Sequence, residues 1–182
     1  MWTLLIDPAI SAALTFSLAA LFAASAVHKA RAYREFVGVI GDYRIAPQGA
    51  AALIAPVLLA AEAAIAACLF VPALRSVAAL AGAGLLIVYG GSIAFNLLRG
   101  RRDIDCGCTF GATADRLTWS LVMRNAALAG AALAAASPAG LRELGLLDFI
   151  TIGVAVIAGG VFYLTAETLR VNAVKFVLAG YR

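Results

Sequence analysis

The chain contains five long runs of apolar residues, separated by short segments that hold most of its charged side chains. Each run has about the 20 residues that an α-helix needs to cross the hydrocarbon core of a bilayer. A helix also satisfies its backbone polar groups internally, as hydrocarbon requires. We therefore expect five transmembrane helices. They cover about Ala9–Val27, Gly49–Val71, Ala73–Leu98, Leu117–Ala136 and Leu146–Ala166.

Composition excludes a water-facing exterior. Apolar residues make up 64% of the 182 residues and charged residues 13%, and the mean hydropathy is +0.97. A soluble domain has about 25% charged residues. We expect an all-α integral membrane protein, a bundle of about five transmembrane helices that forms a single domain over residues 1–182. The glycines of the third and fifth runs are typical of close helix packing. The first run is preceded by Asp7 and not by the basic segment that begins a signal peptide, so we expect that run to be a permanent helix and not a cleaved signal peptide.

The distribution of lysine and arginine predicts the orientation. Eleven of them follow the first, third or fifth run, whereas only Arg75 and Arg142 lie in the opposite connections. Under the positive-inside rule, the N-terminus is outside and both long connections and the C-terminus are cytoplasmic. We interpret these basic residues, Lys29 among them, as topology signals and headgroup anchors that need no nucleic-acid partner.

The connection after the third run contains the two residues that are the strongest candidates for a chemical reaction, a closely spaced pair of cysteines. It reads Asp103-Ile104-Asp105-Cys106-Gly107-Cys108-Thr109-Phe110-Gly111. Two thiols around one glycine can close into a small disulfide ring, and strained or exposed disulfides are the reducible ones. We predict that Cys106 and Cys108 form a redox pair; a metal site and two idle cysteines are the alternatives. A structural zinc site needs four ligands, and Cys68 is expected at the other end of the bundle as a packing residue, so we predict no metal.

Two charged residues lie inside the predicted spans, and one histidine lies beside them. Glu62 is near the middle of the second run and Arg124 is about two turns into the fourth. An ionisable group at such a depth costs at least about 2.5 kcal/mol, so it needs a partner or a cavity. The two can pair, Glu62 can carry protons, or Arg124 can snorkel to the interface. His28, on the same face as the thiol pair, is a proton donor or acceptor for thiol–disulfide exchange or an interfacial anchor.

Weaker signals surround these residues. Tyr89, Asn96 and Asn125 are candidates for lining a polar cavity near the same end of the bundle. Between the first two runs, the aromatic residues Tyr33, Phe36 and Tyr43 predict a short amphipathic segment on the membrane surface.

The chain resembles the MauE family, the methylamine-utilisation membrane proteins related to the DoxX-like four-helix proteins. The resemblance extends over nearly the whole chain, and the residues that carry it are His28-Lys29, Tyr43, Pro47, Glu62 and Asp105-Cys106-Gly107-Cys108. The broader family's motif often reads C-G-C-F-G, whereas here Thr109 stands before Phe110. The resemblance implies a four-helix core plus one further helix.

The resemblance also implies a function. It implies a role in maturing methylamine dehydrogenase, a periplasmic enzyme whose small subunit is dense in disulfides. It implies a membrane-anchored thioredoxin-like partner, MauD, that forms or isomerises these disulfides together with the protein in the bacterial inner membrane. Our leading hypothesis is that Cys106 and Cys108 exchange disulfides with the partner's cysteines while His28 and Glu62 handle protons. By analogy with other membrane disulfide-forming bundles, a quinone is a candidate terminal oxidant, although no residue pattern in the sequence demonstrates a quinone site.

The implied substrate and the charge pattern disagree about the side of the membrane. The substrate is periplasmic, whereas the charges place the CGC segment on the cytoplasmic side. Either the charge rule fails for this chain, or electrons cross the bundle, or the loop folds back into a cavity that the partner reaches. Two other functions stay open: a non-catalytic scaffold that anchors the thioredoxin-like partner, and a small transporter. The lack of repeats and broken helices disfavours the transporter.

Overall fold

Six α-helices make up most of the described chain. The computed structural model describes residues 6–47, 49–104 and 116–179, with side chains as far as residue 173. The helices are α1 Pro8–Arg31, α2 Tyr33–Asp42, α3 Ala51–Leu69, α4 Arg75–Leu98, α5 Trp119–Ala136 and α6 Leu146–Ala179. All except α2 are long and apolar enough to cross a membrane. The all-α fold class and the five spans are therefore confirmed, and the protein is a multi-pass membrane protein.

Four of the spans form the core of the bundle. α4 packs along α5 and α1 along α3, while contacts of α3 with α4 and of α1 with α5 close the bundle. α6 packs mainly against α1 and is the least buried of the five spans. This is the expected four-helix core with one peripheral helix.

α1 is longer than its apolar run. It begins where Asp7 accepts a hydrogen bond from the backbone N–H of Ala9 at 2.8 Å, with Pro8 at its first position, which are both typical helix-start features. It continues past Val27 to Arg31. The reason is that the row of buried residues along α1 extends as far as Lys29, which is buried although it is charged.

Two glycines of α4 let the core helices approach closely. A Cβ atom at Gly82 would lie 2.9 Å from Cε2 of Phe22, and one at Gly90 would lie 3.2 Å from Cβ of Asn125. The expected packing role is therefore confirmed for these two. It is wrong for the glycines whose Cβ position has no atom of the described residues within 4 Å, because they face away from the neighbouring helices. These are Gly84 and Gly91 in α4 and Gly153, Gly159 and Gly160 in α6.

The bundle has two chemically different ends. The end that carries Asp7, the α3–α4 hairpin and the α5–α6 connection is called the N-terminal face here. On it, Ile6 pairs with Ala139 as a β-bridge, and the Arg142 guanidinium contacts Asp7 at 3.2 Å and Asp148 at 2.8 Å. The hydrogen bond from Arg142, followed by that from Ala9, lowers the pKa of the Asp7 carboxyl. The end that carries α2 and the α4–α5 connection is called the loop face.

Cys68 and α2 lie where the sequence predicts. Cys68 is half-buried and packs against an apolar cluster that contains Leu18, Leu69 and Ala79, so its interpretation as a packing residue is confirmed. The expected amphipathic segment is helix α2, which packs against α3 and buries Phe36.

Candidate functional site

A buried ion pair lies inside the bundle, on the loop-face half of α1. The ammonium of Lys29 contacts Oε1 of Glu62, with 2% and 1% of the two side chains exposed. The hydroxyl of Tyr89 donates to the same oxygen at 2.7 Å and lies 3.3 Å from the ammonium. The ammonium also lies 5.1 Å from the ring centre of Phe36 and 4.6 Å from that of Tyr89, within range of a cation–π interaction. The charges of Lys29 and Glu62 thus neutralise each other in a low-dielectric setting.

Three core helices hold this cluster together. Lys29 continues the buried stripe of α1 that contains Phe22 and Ala26. Glu62 lies on the buried face of α3, and Tyr89 extends from α4. The contact joins side chains 33 and 27 residues apart in sequence, so it exists only once the bundle has assembled.

One oxygen of Glu62 differs from the other. Oε2 is buried and has no hydrogen-bond partner among the described residues. A small cavity of about 40 Å³ lies beside this side chain, and it has room for an ordered water, which needs at least about 10–15 Å³ and two to four polar partners. Its polar lining residues are Ser25, Glu62, Tyr89, Arg124, Asn125 and Tyr163. Glu62, with its unpartnered oxygen, therefore lines a polar space large enough for a water.

Arg124 pairs with α6. Its guanidinium lies 3.3 Å from Oε1 of Glu167, and the same carboxylate also contacts Arg170. The considered pairing of Glu62 with Arg124 is therefore not the arrangement found: Glu62 contacts Lys29, and Arg124 lines the same small cavity from another side. Glu167 escaped the sequence prediction because it lies one residue beyond the fifth apolar run.

The connection between α4 and α5 begins and ends at the same point of the loop face. α4 ends at Leu98, and Gly100, with φ +74°, turns the chain away. The backbone N–H of Leu117 then donates to the carbonyl of Arg102 at 3.0 Å, and Arg116 pairs with Asp103 at 2.8 Å. We call these contacts the loop base.

Buried polar contacts fix the loop base to the bundle. Asn96 is fully buried and accepts a hydrogen bond from Arg101 at 3.2 Å, and Arg101 also reaches the carbonyl of Tyr43 at 3.4 Å. Ile104 belongs to a buried apolar cluster that includes Ile93, and Tyr43 packs against that cluster.

The predicted site residues separate into two groups. Cys106 and Cys108 lie outside the described residues, so their pairing stays a prediction. Glu62 is buried as expected, and His28 is half-buried on the last turn of α1 beside Lys29; their roles in proton transfer also stay predictions. Among the weaker candidates, Tyr89 and Asn125 do line the small polar cavity, whereas Asn96 anchors the loop base.

Lys29 is the site residue that the sequence interpretation missed. Its charge was assigned to topology, yet its side chain points into the bundle against Glu62. A usable signal was its spacing, because Phe22, Ala26 and Lys29 recur every three to four residues, as on one face of a helix. A second signal was the need of an intramembrane carboxylate for a cation.

Comparison with known proteins identifies the family. The family model described as "Methylamine utilisation protein MauE" matches residues 7–138, the part of the chain from α1 to α5 that includes the buried ion pair and the CGC segment. No solved structure matches the chain.

Three curated relatives are each described as methylamine utilization protein MauE. The one from Paracoccus versutus is 45% identical over 166 residues, covering 90% of this chain and 87% of the relative. The one from Paracoccus denitrificans is 43% identical over 145 residues, covering 76% and 78%. The one from Methylophilus methylotrophus is 33% identical over 165 residues, covering 90% and 87%. The chain therefore belongs to the MauE family of methylamine utilisation proteins.

Proposed function

We propose that the protein is a thiol–disulfide exchange component of the bacterial cytoplasmic membrane. With a MauD-like thioredoxin-fold partner, it supports disulfide formation in the small subunit of methylamine dehydrogenase. The observation that carries the proposal is the loop base, because the hydrogen bond from Leu117 to Arg102 anchors both ends of the segment that contains Cys106 and Cys108. Membership of a family named for methylamine utilisation supports the metabolic setting.

The exchange is a two-electron reaction between two sulfur pairs. A thiolate of the reduced pair attacks the disulfide of the other protein, and one sulfur of that disulfide leaves as a thiolate. The second thiolate of the attacking pair then displaces the mixed disulfide. One pair ends as a disulfide and the other as a dithiol, so atoms and electrons balance in either direction. Protons that leave or join the sulfurs need acceptors nearby, and His28 and Glu62 are our candidates for that role.

The test compares the paired cysteines with the third one. Replacing both by serine, Cys106→Ser with Cys108→Ser, should abolish mature methylamine dehydrogenase in cells grown on another carbon source in the presence of methylamine. The readout is the disulfide content of its small subunit. Cys68→Ala is the matched control, since Cys68 packs at the other end of the bundle, and it should leave maturation unchanged.

A trapping experiment identifies the partner. Cys106→Ser and Cys108→Ser are tested singly, and the variant that lacks the resolving thiol should accumulate a mixed disulfide with the thioredoxin-like protein on non-reducing gels. Normal maturation with both serines in place would overturn the redox proposal and leave the scaffold function instead.

A further inference from the structure

A second cavity, apolar and larger, lies beside the buried ion pair. Its volume is about 220 Å³, and Lys29 and Tyr89 form its polar end. α2 contributes Phe36 and Ile40, and α3 and α4 contribute Ile54 and Val88 to its walls. Tyr89 also lines the small polar cavity next to Glu62. The buried ion pair and Tyr89 therefore lie between an apolar cavity and a polar one.

The apolar cavity is accessible from the lipid side. Val88, one of its lining residues, lies in the membrane-spanning part of α4 and is 58% exposed. A ligand that is dissolved in the bilayer can therefore enter between α3 and α4 without crossing water. The volume is below the roughly 300 Å³ at which pockets for drug-sized ligands begin, so one ring fits inside and any long tail stays in the lipid.

The polar end favours an uncharged acceptor over an anion. The Lys29 ammonium has three N–H donors, and the described contacts with Glu62 and Tyr89 use two. Its charge is already neutralised by Glu62, so an anionic lipid headgroup would add an unbalanced charge at a buried position. A carbonyl oxygen accepts the remaining donor without that cost.

Aromatic side chains around the cavity favour a flat ring. Phe36, Tyr43 and Tyr89 all line it, and such rings pack well against another planar π-system. A lipid-soluble molecule with a flat ring, carbonyl oxygens and an apolar tail is a quinone.

The cavity also adjoins the described start of the connection between α4 and α5. Its lining residue Ile93 shares a buried cluster with Ile104, and the carbonyl of its lining residue Tyr43 accepts a hydrogen bond from Arg101, which fixes the loop base to the bundle. Cys106 and Cys108 follow Ile104 by two and four residues in the sequence.

We propose that this cavity binds the ring of a membrane quinone that oxidises the Cys106–Cys108 pair; this inference rests on the proposed function. In the reaction, two thiols lose two electrons and two protons as the S–S bond forms. The quinone gains two electrons and two protons and becomes the quinol. The remaining N–H donor of Lys29 holds the carbonyl oxygen, and the Glu62 carboxylate next to it relays protons.

Photoaffinity labelling tests the cavity directly. The full chain, in nanodiscs of phosphatidylcholine, is labelled with an azido-ubiquinone in competition with decylubiquinone, and the labelled peptides are mapped by mass spectrometry. We expect the label within residues 36–46 and 88–93. Val88→Trp, which fills the rim, should lower this labelling at least five-fold, whereas Ile87→Trp, its equally exposed neighbour outside the cavity lining, should leave it unchanged.

Each outcome has a defined meaning. Equal labelling of the two tryptophan variants, or label spread over all lipid-facing helices including α6, would mean that the cavity holds only lipid chains and would overturn the inference. If Val88→Trp does not fold, the map of the unmodified chain still decides. The double serine variant of Cys106 and Cys108 should bind the quinone normally but not reduce it. Loss of labelling with intact cysteine-dependent maturation would overturn only the quinone site. Normal labelling with cysteine-independent maturation would overturn the proposed function and the oxidation of the cysteines, and would leave only quinone binding by the cavity.

Discussion

Lys29 carries a charge in the last turn of a membrane-spanning helix, yet its side chain is almost fully buried. Taking a cation and a carboxylate out of water costs several kcal/mol for each ion, and only good mutual geometry offsets that cost. Removal of one partner therefore differs from removal of both, because a single removal leaves an uncompensated charge next to hydrocarbon. This asymmetry makes the ion pair testable.

Lys29→Met should lower the free energy of unfolding by about 3–5 kcal/mol, because Glu62 loses its cation. Arg31→Met is the matched control, since Arg31 is exposed on the same helix end, and it should change stability by no more than about 0.5 kcal/mol. Unfolding in mixed micelles, followed by circular dichroism, measures both. The double variant Lys29→Met with Glu62→Leu should recover most of the loss. Equal stability of Lys29→Met and Arg31→Met would show that the ion pair is not formed.

Asp7 gives a pH-dependent prediction on the N-terminal face. Its folded-state pKa is lowered from 3.8, first by the hydrogen bond from Arg142. A lowered folded pKa adds stability above the unfolded pKa, and this stability is lost as the pH falls through the folded value. Asp7→Asn keeps an equally good helix cap but loses the charge, so it should be less stable than the parent at pH 7. The difference should shrink as the pH falls below 3.8; thermal unfolding of both proteins across this range measures it, and a constant difference would refute the role of the charge.

At the scale of the helix, the contact between Gly82 and Phe22 shows how closely α1 and α4 approach. Gly82→Ala should destabilise the bundle by about 1–3 kcal/mol, because the new methyl group must displace a buried ring. Gly84→Ala, two residues away and facing open space, should be neutral or slightly stabilising. Unfolding midpoints in the same micelles compare them. Phe22→Leu in the Gly82→Ala background should restore part of the loss, and equal effects of the two alanines would mean that the contact is absent.

The helices were predictable because the insertion of a segment into the bilayer depends mainly on the hydropathy of its own residues. Each apolar run must be a helix in lipid, so five of the six helices follow from hydropathy alone. The end of α1 did not follow, because the burial of Lys29 depends on Glu62 of another helix. The peripheral position of α6 did not follow either, since its glycines and apolar residues resemble those of the core helices and only the packing distinguishes them.

The site was predictable only in part, because its contacts join residues of different helices. Glu62 stands out because a carboxylate is rare within an apolar run. Its choice of Lys29 over Arg124 depends on how α1 and α5 are rotated about their axes, and hydropathy does not encode rotation. The loop base escaped prediction entirely, because it depends on a backbone hydrogen bond between Arg102 and Leu117.

At the scale of the whole molecule, the two faces make the orientation testable. In a background with its three cysteines replaced by alanine, Leu141→Cys marks the N-terminal face and Asp42→Cys the loop face, and both positions are exposed. The positive-inside rule predicts that a membrane-impermeant maleimide labels Leu141→Cys in intact spheroplasts and Asp42→Cys only after permeabilisation. The opposite result would place the loop face in the periplasm, on the side of the dehydrogenase.

The hydrogen bond between Arg102 and Leu117 joins the two ends of the connection between α4 and α5, so the positions of these helices do not depend on the length of the chain between Ile104 and Arg116. A closed loop of this kind tolerates changes of length at a small entropic cost, about 0.6 kcal/mol for each doubling. Insertions between these two residues should therefore alter the reach of the thiols toward a partner while the melting behaviour of the bundle stays nearly constant. The length of this connection and the packing of the helices can accordingly change independently of each other during evolution.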